Sequence, residues 1–508
     1  MKRHILMFGP LALAGCTVGP NYSVPKLPTP AAFAEDQGPQ ATPDLQGWWH
    51  AYHDPELERL IAMGLADNPD LKSAAARIRG ARAQERVARS AYFPQVNATA
   101  GSTYEQFSKN AGLSSLASLL GGGSSSGASS AGLQNSSTSG IAAPGDDITV
   151  YSAGFDASWE LDLFGGTRRS VQGARARAEA AVWSARDAQL SLIAEIVDAY
   201  LQLRTLQARE QVAREEVDRQ EKRLGILDHT AQSGLTPQGD FIRQRAQLAQ
   251  ALAAVAPIVA EGKAQMHGLG MLVGRTPDTL IAELTAVPPP LPAPPQVPAG
   301  LPSDLLRRRP DVRMAERQLA AATADIGVAV ADLYPRFTLT GASQLISTAL
   351  GNLFTGDSLQ LTGQAQAMFP ILDWGKRKGQ VAQRKAQADE AYYAYQKAVL
   401  GALRDVEDAL IRIRSEQERN RALQGGLADA TRAAQVVEAR YASGLVDYGA
   451  VLDARAAEIS AHDALIQSDG ALRRDTLALT KALGGGWEGL PMPEAPPAMP
   501  SYTSGPEH

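Results

Sequence analysis

The chain has one cysteine in 508 residues, no run of 18 apolar residues and no sustained basic stretch. The absent apolar run excludes a transmembrane helix after the first few residues. With a net charge of −5 and 20% charged residues, nucleic acid is an unsuitable partner. His50 and His53 flank a short turn beside Asp54, but the other histidines are scattered and no thiolate can join them, so no metal site is expected. No phosphate-cradling glycine loop and no nucleophile elbow occurs; Gly121-Gly122-Gly123 lies in a Ser/Gly loop, not between strand and helix. An enzyme reading, and any cofactor, has no residues to stand on.

One long segment lacks proline altogether. From Arg377 to Tyr441, Ala388, Tyr392, Tyr395, Val399, Ala402, Val406, Ala409 and Ile413 recur at alternating steps of four and three. That heptad seam supercoils helices left-handedly, and about 65 residues make a rod on the order of 100 Å. The same spacing occurs 210 residues earlier in Val182, Ala185, Gln189, Leu192, Ile196, Ala199, Leu203 and Leu206. Each rod ends in Ser-Gly-Leu, at Ser233-Gly234-Leu235 and Ser443-Gly444-Leu445, where a shorter helix is expected to return. Gly425-Gly426 should bend or loosen the second rod.

The duplication extends beyond the rods. Asn68-Pro69-Asp70-Leu71 is answered by Arg309-Pro310-Asp311-Val312, and Tyr92-Phe93-Pro94 by Leu333-Tyr334-Pro335. After each of these the period changes from helical to alternating. Tyr151, Ala153, Phe155, Ala157, Trp159 and Leu161 share one face of a strand; Leu359, Leu361, Gly363, Ala365, Ala367 and Phe369 share one face of another. Expected segments are a signal peptide at 1–15, an extended arm at 16–54, a first repeat at 55–287, a proline-rich connector at 288–302, a second repeat at 303–484 and a flexible tail at 485–508.

At the start, Lys2-Arg3 and the apolar Ile5 to Leu13 form an export signal. Leu13-Ala14-Gly15-Cys16 resembles a bacterial lipobox, which implies cleavage before Cys16 and its acylation; the alternative is a buried thiol behind an ordinary signal. Thr17 after the cysteine implies the outer membrane among lipoproteins.

Strands with one apolar and one Gln/Thr/Ser face suit a membrane barrel with a wet lumen, or a soluble sandwich. Four strands cannot enclose a lumen, so a barrel must be shared among chains, and three copies would supply 12 strands. The rods, each beginning where a strand ends, would extend that barrel on the periplasmic side; a plain two-helix coiled coil is the commoner origin of such a stripe.

The LAGC start, the NPDL…YFP and RPDV…YPRF units, the LDLFGG and LDWGKR junctions and the SGL tips together resemble the outer-membrane factor family, the TolC-like ducts of tripartite efflux pumps. The resemblance implies a mixed fold: a homotrimeric 12-stranded transmembrane β-barrel with four strands per chain, continued by a coiled-coil periplasmic barrel. It implies an exit channel for small molecules that docks through a periplasmic adaptor onto an inner-membrane transporter. It places Arg440, Tyr441, Asp447 and Asp453 at the aperture, with Asp453 as constriction carboxylate or simply a solvated surface aspartate. Gly449 and Ala456 stand where the family often has a bulky apolar residue and an arginine. The tips Ser233, Gly234, Leu235, Ser443, Gly444 and Leu445 become candidate adaptor contacts. A protein-secretion duct and a lipoprotein adaptor with one helical hairpin are the alternatives.

Overall fold

The computed structural model describes residues 17–35, 45–106, 147–233, 237–286 and 302–494. Cys16, the signal peptide, most of the Ser/Gly loop, nearly all of the proline-rich connector, Gly234, Leu235 and the end of the chain lie outside them. After a 3₁₀ turn at Trp48–Tyr52 come α1 (Pro55–Asp67), α2 (Pro69–Ser90), β1 (Gln95–Gln106), β2 (Asp147–Leu161), α3 (Gly166–Gln232), α4 (Gln238–Leu272) and the short α5 (Ile281–Leu284). The second half has α6 (Pro302–Arg308), α7 (Pro310–Ala331), β3 (Arg336–Ser347), β4 (Leu359–Met368), α8 (Lys376–Ala442) and α9 (Tyr448–Ala482). The two long helices have 67 residues each and the two returning helices 35 each. At 1.5 Å per residue the former are about 100 Å long.

Two compact units form. The first contains the described residues among Met1–Pro20, Arg86–Val171 and Ala324–Arg384. It holds one antiparallel sheet in the order β1-β2-β3-β4. The register lines up the alternation of all four strands. Ala98, Phe155, Ser343 and Leu361 form one row of one face, and Ser158, Thr340 and Gln364 a row of the other. A slip of one residue would interleave the two sets. The edge strands β1 and β4 are exposed over nearly all of their length. β4 ends at Met368, one residue before the expected Phe369. Each second strand leads to its long helix through a glycine at positive φ, +80° at Gly165 and +85° at Gly375. The helices are then capped by aspartate: Asp162 accepts from the N–H of Thr167 (3.0 Å) and Arg168 (2.9 Å), and Asp373 from those of Gly375 (3.0 Å) and Arg377 (3.2 Å).

The second unit contains the described residues among Asn21–Glu85, Gln172–Thr323 and Lys385–His508. It has one main core per repeat. In the first, Leu57, Leu60 and Ile61 of α1 pack on Ile193, Ile196, Val197 and Tyr200 of α3 and on Leu269 of α4. In the second, Val312 of α7, Tyr395, Val399, Ala402 and Val406 of α8 and Leu479 of α9 come together. Both heptad seams face inward: Ala185, Gln189, Leu192, Ile196 and Leu203 are buried, as are Ala388, Tyr395, Val399, Ala402, Val406 and Ala409. Asp54 caps α1 through the N–H groups of Glu56 (3.0 Å) and Leu57 (3.2 Å), and Asn68 caps α2 through those of Asp70 (2.8 Å) and Leu71 (3.1 Å).

Three expectations differ from the structure. Helix α8 runs through Gly425-Gly426 without interruption. A cost of about 1 kcal/mol per glycine is small beside the packing of a 67-residue helix. The arm is not only extended but packed: Phe33 is buried in the second-repeat core, and the N–H groups of Ala34 (2.8 Å) and Glu35 (3.0 Å) donate to Glu407. The expected flexible tail at 485–508 is packed where it is described. Gly484, Gly485 and Gly486 are buried. The Trp487 indole donates to the carbonyls of Arg308 and Gly484, both at 2.9 Å, and meets Trp183 edge-on at 5.3 Å. Short glycines let the chain lie close to Leu45 and Trp48, which a Cβ at 485 or 486 would strike.

The described part of the tail, 485–494, is therefore a structural element. Trp487→Ala should destabilise the protein by about 2–3 kcal/mol, read as a lower thermal midpoint in detergent, whereas a free tail would leave the midpoint unchanged.

Candidate functional site at the helix tips

The second tip follows from its turn chemistry. Helix α8 closes with Gly444 at φ +74°, whose N–H donates to Tyr441 O (2.9 Å), while the N–H of Leu445 reaches back to Arg440 O (2.9 Å). This is the paired-bond glycine C-cap, and it explains the Ser-Gly-Leu signature. The Leu445 side chain that follows is left 73% exposed. Helix α9 starts three residues later, with Asp447 as N-cap accepting from Ala450 N–H at 2.9 Å. Of the first tip, Ser233 is described: its N–H and hydroxyl both donate to His229 O (3.3 and 2.9 Å).

Just behind the tips, charges from both hairpins interlock. Glu438 of α8 accepts from Arg455 Nε of α9 at 2.9 Å and from Arg223 Nη1 of α3 at 3.1 Å. Arg455 also bonds Glu458. The Arg223 guanidinium lies over the Tyr448 ring, 5.0 Å from its centroid, and Tyr441 packs 5.4 Å from the same ring. Tyr448 is buried, and its hydroxyl donates to Gln244 of α4, which in turn donates to Gln220 O at 3.0 Å. A groove of about 430 Å³ between α3, α8 and α9 is lined by Arg223, Glu438, Tyr441, Tyr448 and Arg455 among others. Burial pushes the Tyr448 phenol up to about 12. The hydrogen bonds from Arg455, and after them those from Arg223, hold the Glu438 carboxyl below the usual glutamate range.

The expected site residues divide. Tyr441 joins this network; Asp447 is occupied as a helix cap; Arg440 is exposed and serves through its carbonyl. Asp453 is exposed and has no hydrogen-bond or ion-pair partner among the described residues. The sequence reading missed Arg223, Gln244, Glu438 and Arg455. The available signal was that Glu438 and Arg455 stand on opposite sides of one tip, within hairpin reach of each other. Among the described residues no group of three or more metal-ligating side chains is assembled, and no helix is long and apolar enough to cross a membrane.

The family model described as outer membrane efflux protein matches residues 60–263 and 301–485. A probable efflux pump outer membrane protein, TtgC of Pseudomonas putida, is 30% identical over 492 residues, covering 94% of this chain and 93% of the relative. The pyoverdine export outer membrane protein OpmQ of Pseudomonas aeruginosa is 27% identical over 96% of this chain and 98% of its own. The solved structure of the outer-membrane channel OprN superposes with a TM-score of 0.81 at 32% identity, covering 93% of this chain and all of that one.

A depressed carboxylate contributes stability above its unfolded value, about pH 4.3, and loses it as pH falls through the folded value. Glu438→Gln should therefore cost about 1 kcal/mol at neutral pH. That difference from the unmodified protein should shrink once pH falls below about 4.3 and vanish only below the folded-state value in matched unfolding titrations; a pH-independent difference would detach Glu438 from the network.

Proposed function

We propose, from the premise that this chain belongs to the outer membrane efflux protein family, that three copies close their four-stranded sheets into one 12-stranded barrel across the outer membrane. Their long helices then form a coiled-coil barrel on the periplasmic side. The single observation that carries this is the sheet: one apolar face, one polar face, and two bare edges. In hydrocarbon each unpaired backbone group costs several kcal/mol, so such a sheet needs further strands at both edges. The apolar face suits lipid and the Gln/Thr/Ser face a water-filled lumen.

The assembly passes small molecules outward passively after docking to a periplasmic adaptor and an inner-membrane transporter; the roles of TtgC in efflux and of OpmQ in pyoverdine export support this. Leu445, an apolar side chain left bare on a rigid cap, is a suitable adaptor contact, with Ser443 and Gly444 beside it and Ser233, Gly234 and Leu235 at the other tip. Cys16, acylated after signal cleavage, adds a lipid anchor worth about 0.8 kcal/mol per buried CH₂. The Glu438 network ties the two hairpins of one chain, so opening the periplasmic end by moving one hairpin against the other requires Arg223 and Gln244 to release α8 and α9. The unpartnered Asp453 carboxylates, three per assembly, form a cation-attracting ring near the aperture.

In planar bilayers the purified protein should form trimers with discrete conductance. Asp453→Ala should lower cation over anion preference by about 2-fold or more. A monomer in detergent would remove the channel reading, and unchanged selectivity would remove Asp453 from the aperture.

A further inference from the structure

A recess of about 670 Å³ lies in the helical unit, walled by α3, α4 and α9. Two of its walls are helical stripes. On α4 the stripe is Gln247, Gln250, Ala254, Pro257 and Glu261, at steps of three and four that lead back to Arg243. On α9 it is Ala456, Ser460 and Asp463, which lead back in the same way to Asp453. Arg243 and Asp453 are equivalent positions of the two repeats, 210 residues apart. At 1.5 Å per residue the α9 wall begins about 5 Å from Asp453 and runs on for about 10 Å. On the reading in which Asp453 faces the conducting path, the recess opens onto that path just inside the aperture.

The second repeat shows why the recess is there. The same shift relates Leu206 to Glu416 and Ile258 to Ser468. In the second hairpin the buried Ser468 hydroxyl donates to Glu416, and Asn420 donates to Ser468 (3.2 Å) and to Asp469 (2.8 Å), so hydrogen bonds tie α8 to α9 at this level. In the first hairpin both positions are apolar and cannot form that tie. Beside them stands Pro257, inside α4, which has no N–H to return to the Ala253 carbonyl. The first hairpin keeps an apolar hollow where the second is laced together.

The charges of the recess are of one effective sign. Arg209, the cation of the lining, is engaged by Asp463 at 2.6 and 3.2 Å. Glu216 is buried and held by Arg219 at 2.9 Å. Glu261 remains. It is exposed, accepts from the amide of Gln265 on its own helix (3.1 Å), and has no ion-pair partner among the described residues.

Resting on the channel reading above, we infer that this recess binds an amphipathic organic cation, with its apolar body against Leu206, Val212, Ile258 and Ile459 and its charge at Glu261. The volume is that of a site for a drug-sized molecule. An anion of the same shape meets Glu261 with no free cation to offset it. A strongly hydrophilic cation gains nothing from the apolar walls. The recess thus adds a preference for amphipathic cations on the wall of the duct, apart from the Asp453 ring, which acts by charge alone.

Single channels in planar bilayers read the site with two probes that share one ring system, 1-naphthylmethyltrimethylammonium and naphthalene-2-sulfonate. The cation should halve the current at about 1 mM or below, and the sulfonate should need about tenfold more. Ala254→Trp, which fills the recess, should raise the half-blocking concentration of the cation about tenfold, and Glu261→Gln about threefold, both at unchanged trimer mass. Asp453→Ala separates the recess from the aperture ring, and the block should persist in it. Block lost in Asp453→Ala but kept in Ala254→Trp overturns the proposal, as does equal block by the sulfonate or no block by the cation. A monomeric mass or an absence of conductance overturns the channel reading instead. Equilibrium dialysis of the ammonium probe against the full-length protein and its Ala254→Trp variant then decides the recess, and equal binding by the two overturns it.

Discussion

A β-strand in hydrocarbon needs a hydrogen-bonded neighbour on both sides, because no water is there to take its N–H and C=O groups. This chain satisfies that condition for β2 and β3 and leaves it open for β1 and β4. The imbalance is produced by duplication. Each repeat makes one hairpin, and the sheet exists because the inner strands of the two hairpins join. A unit that satisfies its inner contact by pairing one repeat with the other has, by the same geometry, an outer contact of the same kind still to make. In the proposed assembly, closure into a ring repeats a contact already present, and no new type of interface is required.

The helical unit solves a different problem with the same duplication. Both long helices bury their heptad seams, yet the side chains differ. The first repeat fills its core with Leu, Ile and Val, the second with more alanine around Tyr395. A core of small residues leaves apolar area that must be covered by something else, and the chain termini do this. Phe33 and Leu45 belong to the second core, while Trp487 braces the return of the C-terminal segment through two carbonyls. Proline-rich and glycine-rich segments thus act as packed straps whose extended backbones lie close against helices.

Periodicity made the main elements legible. The seams from Val182 and Ala388 predicted helices whose inward faces carry those residues, most of them buried, and the alternation around Phe155 and Leu361 predicted strand faces that the register brings into one row. What stayed hidden depends on tertiary context. Gly425-Gly426 read as a weak point because propensity is local, whereas a long packed helix averages it out. Pro257 likewise sits inside α4. The tail read as flexible because Gly and Pro lack a periodic signal, although the same glycines permit close approach to Leu45 and Trp48. The Arg223–Glu438–Arg455 network was invisible for a related reason: no spacing rule links α3 to α8, and the three join only once the hairpins lie side by side.

The two hairpins are unequal in charge, and this bears on the proposed aperture. The position equivalent to Asp453, 210 residues earlier, is Arg243, whose guanidinium is paired with Asp240 in the first turn of α4. In an assembly of six hairpins, a ring that drew equally on both kinds would alternate carboxylate and guanidinium and carry little net field. A cation-attracting constriction therefore requires the second-repeat hairpins alone to line the narrowest point. Arg223 and Gln244 on the first hairpin then act from behind, holding α8 and α9 by Glu438 and Tyr448. On the proposed reading the division of labour follows from charge: the hairpin whose carboxylate is unpartnered would face the path, and the hairpin whose cations are satisfied would support it.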